Sequence, residues 1–252
     1  CSWMSTVGLF DRLVLKRETR GFALRCDDPA LPGDHRNLVH RAASAFAEAA
    51  GMRLEQLNCS IVLGKSIPSG AGLGGGSSDA ASALSALNRL HATGWSIDRL
   101  MQVGSTIGSD LPFFFAGSSA LVRGRGEAVQ SCPAAKVKWI VLVLPPIHVS
   151  TVDCYRQFDA MGLGESWSDD EASNRKPDVE GWAMLPAGDL GPRLVNDLEP
   201  PAFALRPDLA ELHRRVEAAT KQVVRMSGSG SSLFTLSDEA PQAIELARIV
   251  SR

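Results

Sequence analysis

Pro68-Ser-Gly-Ala-Gly-Leu-Gly-Gly-Gly-Ser-Ser-Asp-Ala-Ala81 is the stretch on which the reading of this 252-residue chain turns. Before it, Leu57-Asn-Cys-Ser-Ile-Val-Leu-Gly-Lys-Ser-Ile67 is rich in branched side chains and predicts a strand. After it, an alanine-rich run predicts a helix over 79–91, so the Gly-Ser loop of 69–78 joins strand to helix. Glycines let the backbone approach an anion closely and turn consecutive N–H groups inward, and the following helix adds the positive end of its dipole. A phosphate is the guest this arrangement suits. Ser77 and Ser78 offer hydroxyls to phosphate oxygens or to magnesium without adding a repelling charge; plain helix capping is their other reading.

Spacing separates the nucleotide motifs this loop touches. Gly70, Gly72 and Gly75 satisfy G-x-G-x-x-G, but a dinucleotide fold needs a second strand soon after the helix, and a second helix near 96–107 is predicted there instead. Gly64-Lys65-Ser66 fails as a P-loop, because glycine is required where Cys59 stands. A flexible linker is disfavoured by the proline-terminated strand before the loop and the helix after it.

Outward from the loop, alternation of Val7, Leu9, Leu13 and Leu15 predicts a half-buried strand over 6–17, with another at 21–26. After a turn-rich loop, 37–51 has helical spacing and stops at Gly51. The apolar run 138–146 predicts a strand that founds a second lobe, giving domains of 1–133 and 134–252. Residues 161–192 read as a long surface connection, followed by a helix at 202–219, a strand at 223–227, the loop Gly228-Ser-Gly-Ser-Ser232, a strand at 233–237 and a helix from about 239. The class is α+β or α/β.

Composition narrows the function classes. With 44% hydrophobic residues the chain can bury a substantial core, and a net charge of −2 gives no global field that would gather nucleic acid or an anionic membrane. Five cysteines, odd in number and without a C-x-x-C pair, signal neither a disulfide framework nor a zinc site. No run approaches the roughly 20 apolar residues of a membrane helix. The expectation is a soluble, cytoplasmic protein with a small-molecule substrate, no dedicated metal site and no nucleic-acid or membrane partner, monomeric or homodimeric.

Pro68-x-x-x-Gly-Leu-Gly followed by Gly-Gly-Ser-Ser resembles the ATP phosphate loop of the galactokinase, homoserine kinase, mevalonate kinase and phosphomevalonate kinase superfamily. Gly108-Ser-Asp-Leu-Pro-Phe-Phe114, Val195-Asn-Asp-Leu-Glu-Pro200 and Met226-Ser-Gly-Ser-Gly-Ser-Ser-Leu-Phe234 resemble its diphosphocytidyl-methylerythritol kinase branch. The resemblance implies an α+β, two-lobed small-molecule kinase fold with a ribosomal-protein-S5-like N-terminal lobe, containing a left-handed βαβ unit, and an α/β sandwich C-terminal lobe, with the site in the cleft between. It also implies ATP, with Mg2+ expected, and phosphorylation of the 2-hydroxyl of a diphosphocytidyl polyol.

By the same resemblance, Pro68, Gly70, Gly72, Leu73, Gly74, Gly75, Gly76, Ser77 and Ser78 hold the ATP phosphates. Asn37, Leu38 and Lys65 lie on the adenine side, and Asp110 is the catalytic base. Thr151 and Tyr155, the tyrosine by stacking on cytosine, and Ser227, Gly228, Ser229, Gly230 and Ser231 of the second glycine loop meet the substrate. Helix capping competes for Asn37, a turn role for Asp110, ordinary packing for Tyr155, and a simple hairpin turn for 228–232. The family's Lys-x-Asn strand and Gly-Tyr-His segment do not occur here. The chain is therefore expected to lack about 25 to 30 preceding residues, the length of the missing strand and turn. It is accordingly expected to bind ATP better than it turns over substrate. The alternatives are a homoserine- or mevalonate-type kinase, against which Asp110-Leu-Pro-Phe and Asn196-Asp-Leu-Glu argue, or an ATP-binding pseudokinase or sensor.

Overall fold

Strand, helix and parallel strand form the centre of the first half. In the computed structural model, which describes residues 1–164 and 177–251, β3 (Phe22–Cys26) leads through α1 (Leu38–Ala49) to β4 (Cys59–Gly64), which pairs parallel to β3. β2 (Arg12–Arg17) pairs antiparallel on the other side of β4, so the sheet order is β2-β4-β3. α1 begins where Asn37, in extended backbone, accepts a hydrogen bond from Val39 N at 2.9 Å, a cap of the kind that contributes about 1 kcal/mol. It ends at Ala49, two residues before Gly51, whose φ of +69° suits only glycine comfortably. Its inner stripe of Val39, Ala42, Ala43 and Phe46 is fully buried with Ile61 and Leu63 of β4.

α2 (Gly75–Leu90) lays Ala80, Ala83, Leu84 and Leu87 into the same core, and α3 (Ile97–Ser105), capped by Ser96, adds Leu100 and Val103. A 3-10 turn at Leu111–Phe115 packs Phe113 beneath β5 (Ser119–Arg123). β5 lies between β1 (Ser2–Ser5) and β6 (Ala128–Ser131) in a separate antiparallel sheet. These elements belong to one compact unit, residues 1–69 and 74–132.

The second unit comprises residues 133–252 together with Gly70–Leu73. Its antiparallel sheet has the order β7 (Trp139–Val143), β9 (Leu233–Ser237), β8 (Arg225–Met226). Around it lie α4 (Thr151–Ala160), the short α5 (Val179–Ala183) and α6 (Ala187–Leu190), α7 (Glu199–Leu205), α8 (Pro207–Thr220) and α9 (Ala240–Val250). Cys154, Ala202, Leu209, Val216, Met226 and Leu233 form its main core. Among the described residues no helix is long and apolar enough to cross a membrane.

Four sequence expectations are corrected. Of the strand expected over 6–17, β2 (Arg12–Arg17) forms, while residues 6–11 are irregular and connect it to β1 (Ser2–Ser5) in a different sheet. The helix of 79–91 starts at Gly75, so Ser77 and Ser78 lie in its first turn. The helix at 202–219 is two, broken at Arg206, whose helical backbone is disfavoured by Pro207. The surface connection at 161–192 buries Val179, Ala183 and Leu190 on short helices; its residues 165–176 lie outside the described residues.

Candidate active site

The glycine loop opens α2 with a first turn of Gly75, Gly76, Ser77 and Ser78. Gly74, with φ +65°, precedes it, and Ser78 N closes on Gly74 O at 2.9 Å. The N–H groups of residues 75–77 have no acceptor within the helix, which is the arrangement that binds anions. Leu38, the first residue of α1, lies 3.1 Å from where a Cβ on Gly76 would stand, so the positive ends of two helix dipoles converge here. Ser78 Oγ donates to Gly75 O at 2.8 Å, which leaves Ser77 as the loop hydroxyl not committed to that turn.

Lys65 is turned inward. Its Nζ donates to Asp11 Oδ2 and, at 2.9 Å, to Asp79 Oδ2, and all three side chains are buried. The cation that sequence reading set on the adenine side is thus neutralised beneath the loop. Burial favours the neutral form of Asp11, yet bonds from Ile67 N, Lys65 and Ser66 N outweigh it and hold its carboxyl low. Burial also opposes charge on Lys65, but its two carboxylates overcome this and raise its pKa. Asp79 is pushed up to about 6, chiefly by burial and against the pull of Lys65.

That shift has a measurable consequence. The folded pKa of Asp79 exceeds its reference value of 3.8, so the unfolded chain ionises first and stability falls as pH rises from about 4 to 6. Asp79→Asn removes this loss. Relative to wild type, the variant is expected to gain about 2–3 kcal/mol between pH 4 and pH 7, measured by urea unfolding at both pH values.

Asp110 stands in the turn that enters the Leu111–Phe115 3-10 helix, as its turn reading expects, and its side chain makes no capping hydrogen bond there. Among the described residues it makes no ion pair. It retains exposed surface, yet surrounding protein desolvates its carboxyl and raises its pKa, with a Ser109 hydrogen bond opposing. Phe114, four residues on, sits 3.0 Å from the Cβ position of Gly74 and so ties this turn to the start of α2.

In the second unit the two glycine-rich segments are joined directly. Ser227 Oγ donates to Gly72 O at 2.8 Å and Ser232 N to Ala71 O at 3.1 Å. The segment 227–232 is also a hairpin connection, with Met226 paired to Leu233, so the turn reading and the contact reading hold together. Thr151 Oγ1 and Ser229 Oγ are 2.8 Å apart, and Tyr155 follows one turn along α4 on the same face, half exposed. Asn196 Nδ2 donates to Met226 O and Gly228 O, both at 2.8 Å, while Glu199 Oε1 accepts from Met226 N at 2.7 Å. Sequence reading treated the Asn196-Asp-Leu-Glu motif only as a mark of resemblance; here it braces the second glycine loop.

The stretches of sequence that carry the first glycine loop, Asp110 and the second glycine hairpin fall within segments matched by known families. A model described as GHMP kinases N terminal domain matches residues 37–118, and one described as GHMP kinases C terminal matches residues 184–252. The fold and the matched segments define a small-molecule kinase of the GHMP class. The 4-diphosphocytidyl-2-C-methyl-D-erythritol kinase of Pelotomaculum thermopropionicum is 38% identical over 245 residues, which cover 97% of this chain and 82% of that relative. The enzyme of the same name from Geobacter metallireducens is 36% identical over 234 residues, 92% of this chain and 78% of the relative. A crystal structure of 4-(cytidine 5'-diphospho)-2C-methyl-D-erythritol kinase superposes with a TM-score of 0.69 at 33% identity, covering 96% of this chain and 82% of that one. The chain belongs to the 4-diphosphocytidyl-2-C-methyl-D-erythritol kinase family. Membership of a kinase family implies use of ATP.

Proposed function

We propose that this chain transfers the γ-phosphoryl group of ATP to the 2-hydroxyl of 4-diphosphocytidyl-2-C-methyl-D-erythritol. The observation that carries the acceptor is the similarity, over 97% of the chain, to a relative bearing that name. The free N–H groups of Gly75, Gly76 and Ser77, with the two helix ends behind them, bind the polyphosphate and stabilise the charge that spreads over the transferring oxygens. Ser77 is the loop hydroxyl that would hold a magnesium ion bound with ATP, which would neutralise phosphate oxygens there. Asp110 accepts the hydroxyl proton as the acceptor oxygen bonds to γ-phosphorus and the bond to the β-phosphate oxygen breaks, releasing ADP. Its raised pKa keeps it a better proton acceptor than an ordinary aspartate, provided the pH stays above that value. Tyr155, carried with Thr151 on α4, presents its ring to the cytosine.

ADP release is the direct assay, run with the diphosphocytidyl methylerythritol against homoserine and mevalonate at matched concentrations. Selective turnover of the cytidine compound is the expected result. Preferential turnover of homoserine or mevalonate assigns the chain to another acceptor, and ATP binding without turnover of any acceptor makes it a nucleotide sensor.

A further inference from the structure

Both ends of the glycine-rich loop are held by one buried charge cluster. On the entry side, Lys65 N donates to Asp27 Oδ1 at 2.8 Å, and Ser66 N and Ile67 N donate to Asp11 Oδ1 at 2.6 and 2.8 Å. On the exit side, Asp79 follows Ser78 in α2 and is reached by Lys65 Nζ. The side chains of Asp11, Lys65 and Asp79 are 2%, 7% and 6% exposed, so the ammonium is a fixed link rather than a mobile surface charge. Asp11 is supplied by the connection between β1 and β2, distant in sequence from both partners.

The charge count is the informative feature. Two carboxylates surround one ammonium beneath a loop assigned to an anionic ligand, whereas a site built for attraction alone would leave Asp79 out. We infer that Asp11, Lys65 and Asp79 are positioning residues that fix the entry and exit of the glycine loop relative to each other, so that nucleotide affinity depends on the geometry of this cluster rather than on its net charge. This rests on the proposal that the loop holds ATP.

The sign of one substitution separates geometry from charge. Affinity for AMPPNP with magnesium is measured by calorimetry on wild type, Asp79→Ala and Asp79→Asn, together with affinity for the cytidine acceptor and melting temperature. Positioning requires that Asp79→Ala weaken AMPPNP about tenfold although a negative charge has been removed, and that Asp79→Asn, which keeps an oxygen for Lys65, recover most of the loss. Acceptor affinity stays unchanged in both. Should Asp79→Ala fail to fold, Asp79→Val fills similar volume without the oxygen and carries the same expectation. Tighter AMPPNP binding by both variants, or unchanged binding with only a lowered melting temperature, overturns the inference. Wild type that binds AMPPNP but phosphorylates no cytidine acceptor removes the acceptor assignment and leaves this inference standing.

Discussion

Asp110→Asn is expected to lower the turnover number roughly 10²- to 10⁴-fold, the range that a positioned general base supplies. Asparagine keeps the size of the side chain and one acceptor oxygen but cannot take the proton from the hydroxyl. Affinity for AMPPNP is expected to change less than about threefold, because the role proposed for the carboxylate is on the acceptor and not on the nucleotide. The pH dependence carries the same signature. Burial raises the Asp110 pKa above 3.8, so kcat/KM in wild type falls as pH drops through that raised value, and the acid limb lies higher than an ordinary aspartate would place it. The variant lacks that limb. Stopped-time ADP assays from pH 4 to 8 on both proteins check the two statements, and near-wild-type turnover by the variant would remove Asp110 from the chemistry.

Gly72→Val is expected to produce the second large effect, on stability and binding together. Gly72 has φ +75°, a conformation that β-branched side chains scarcely adopt. A Cβ there would overlap Ser227 O and stand 2.8 Å from Gly230 O, both backbone atoms that cannot rotate aside. Strain and overpacking are together expected to cost about 2–4 kcal/mol. Relief requires the 227–232 hairpin to move, which breaks the Ser227–Gly72 bond and disturbs the loop that opens α2. AMPPNP affinity is expected to fall about a hundredfold in whatever fraction remains folded, a loss of about 3 kcal/mol of binding free energy. Urea unfolding and calorimetric titration measure the two effects separately.

What the sequence disclosed follows from how local each cause is. The glycine loop was legible because its composition, the branched strand before it and the alanine-rich helix after it all lie within some 30 consecutive residues. The first turn of α2 reads as loop in the sequence because glycine and serine are poor helix formers, whereas in the structure Phe114 and Ile67 lie so close to Gly74 and Gly75 that a Cβ would stand 3.0 and 2.8 Å from them. The break between β1 and β2 was hidden by period-two alternation that continues through Gly8. Asp11 and Asp79 were absent from the candidate residues for a different reason. Asp11 meets Lys65, Ser66 and Ile67 across more than 50 positions, and no spacing rule connects them. The same holds for Asn196 and Glu199, which act on residues 226–228 about 30 positions away. Of the two readings of Asn37 the helix cap is observed, and its neighbour Leu38 lies 3.1 Å from the Cβ position of Gly76.

Transfer of phosphate from ATP to one hydroxyl of a diphosphocytidyl polyol is the reaction proposed for this chain. Its most direct test is to incubate the protein with ATP, magnesium and 4-diphosphocytidyl-2-C-methyl-D-erythritol and to locate any new phosphomonoester by phosphorus and carbon NMR. A single phosphomonoester at the 2-position, formed in step with ADP, is the predicted result. ATP hydrolysis without a phosphorylated acceptor, or phosphate on a different hydroxyl, would contradict it.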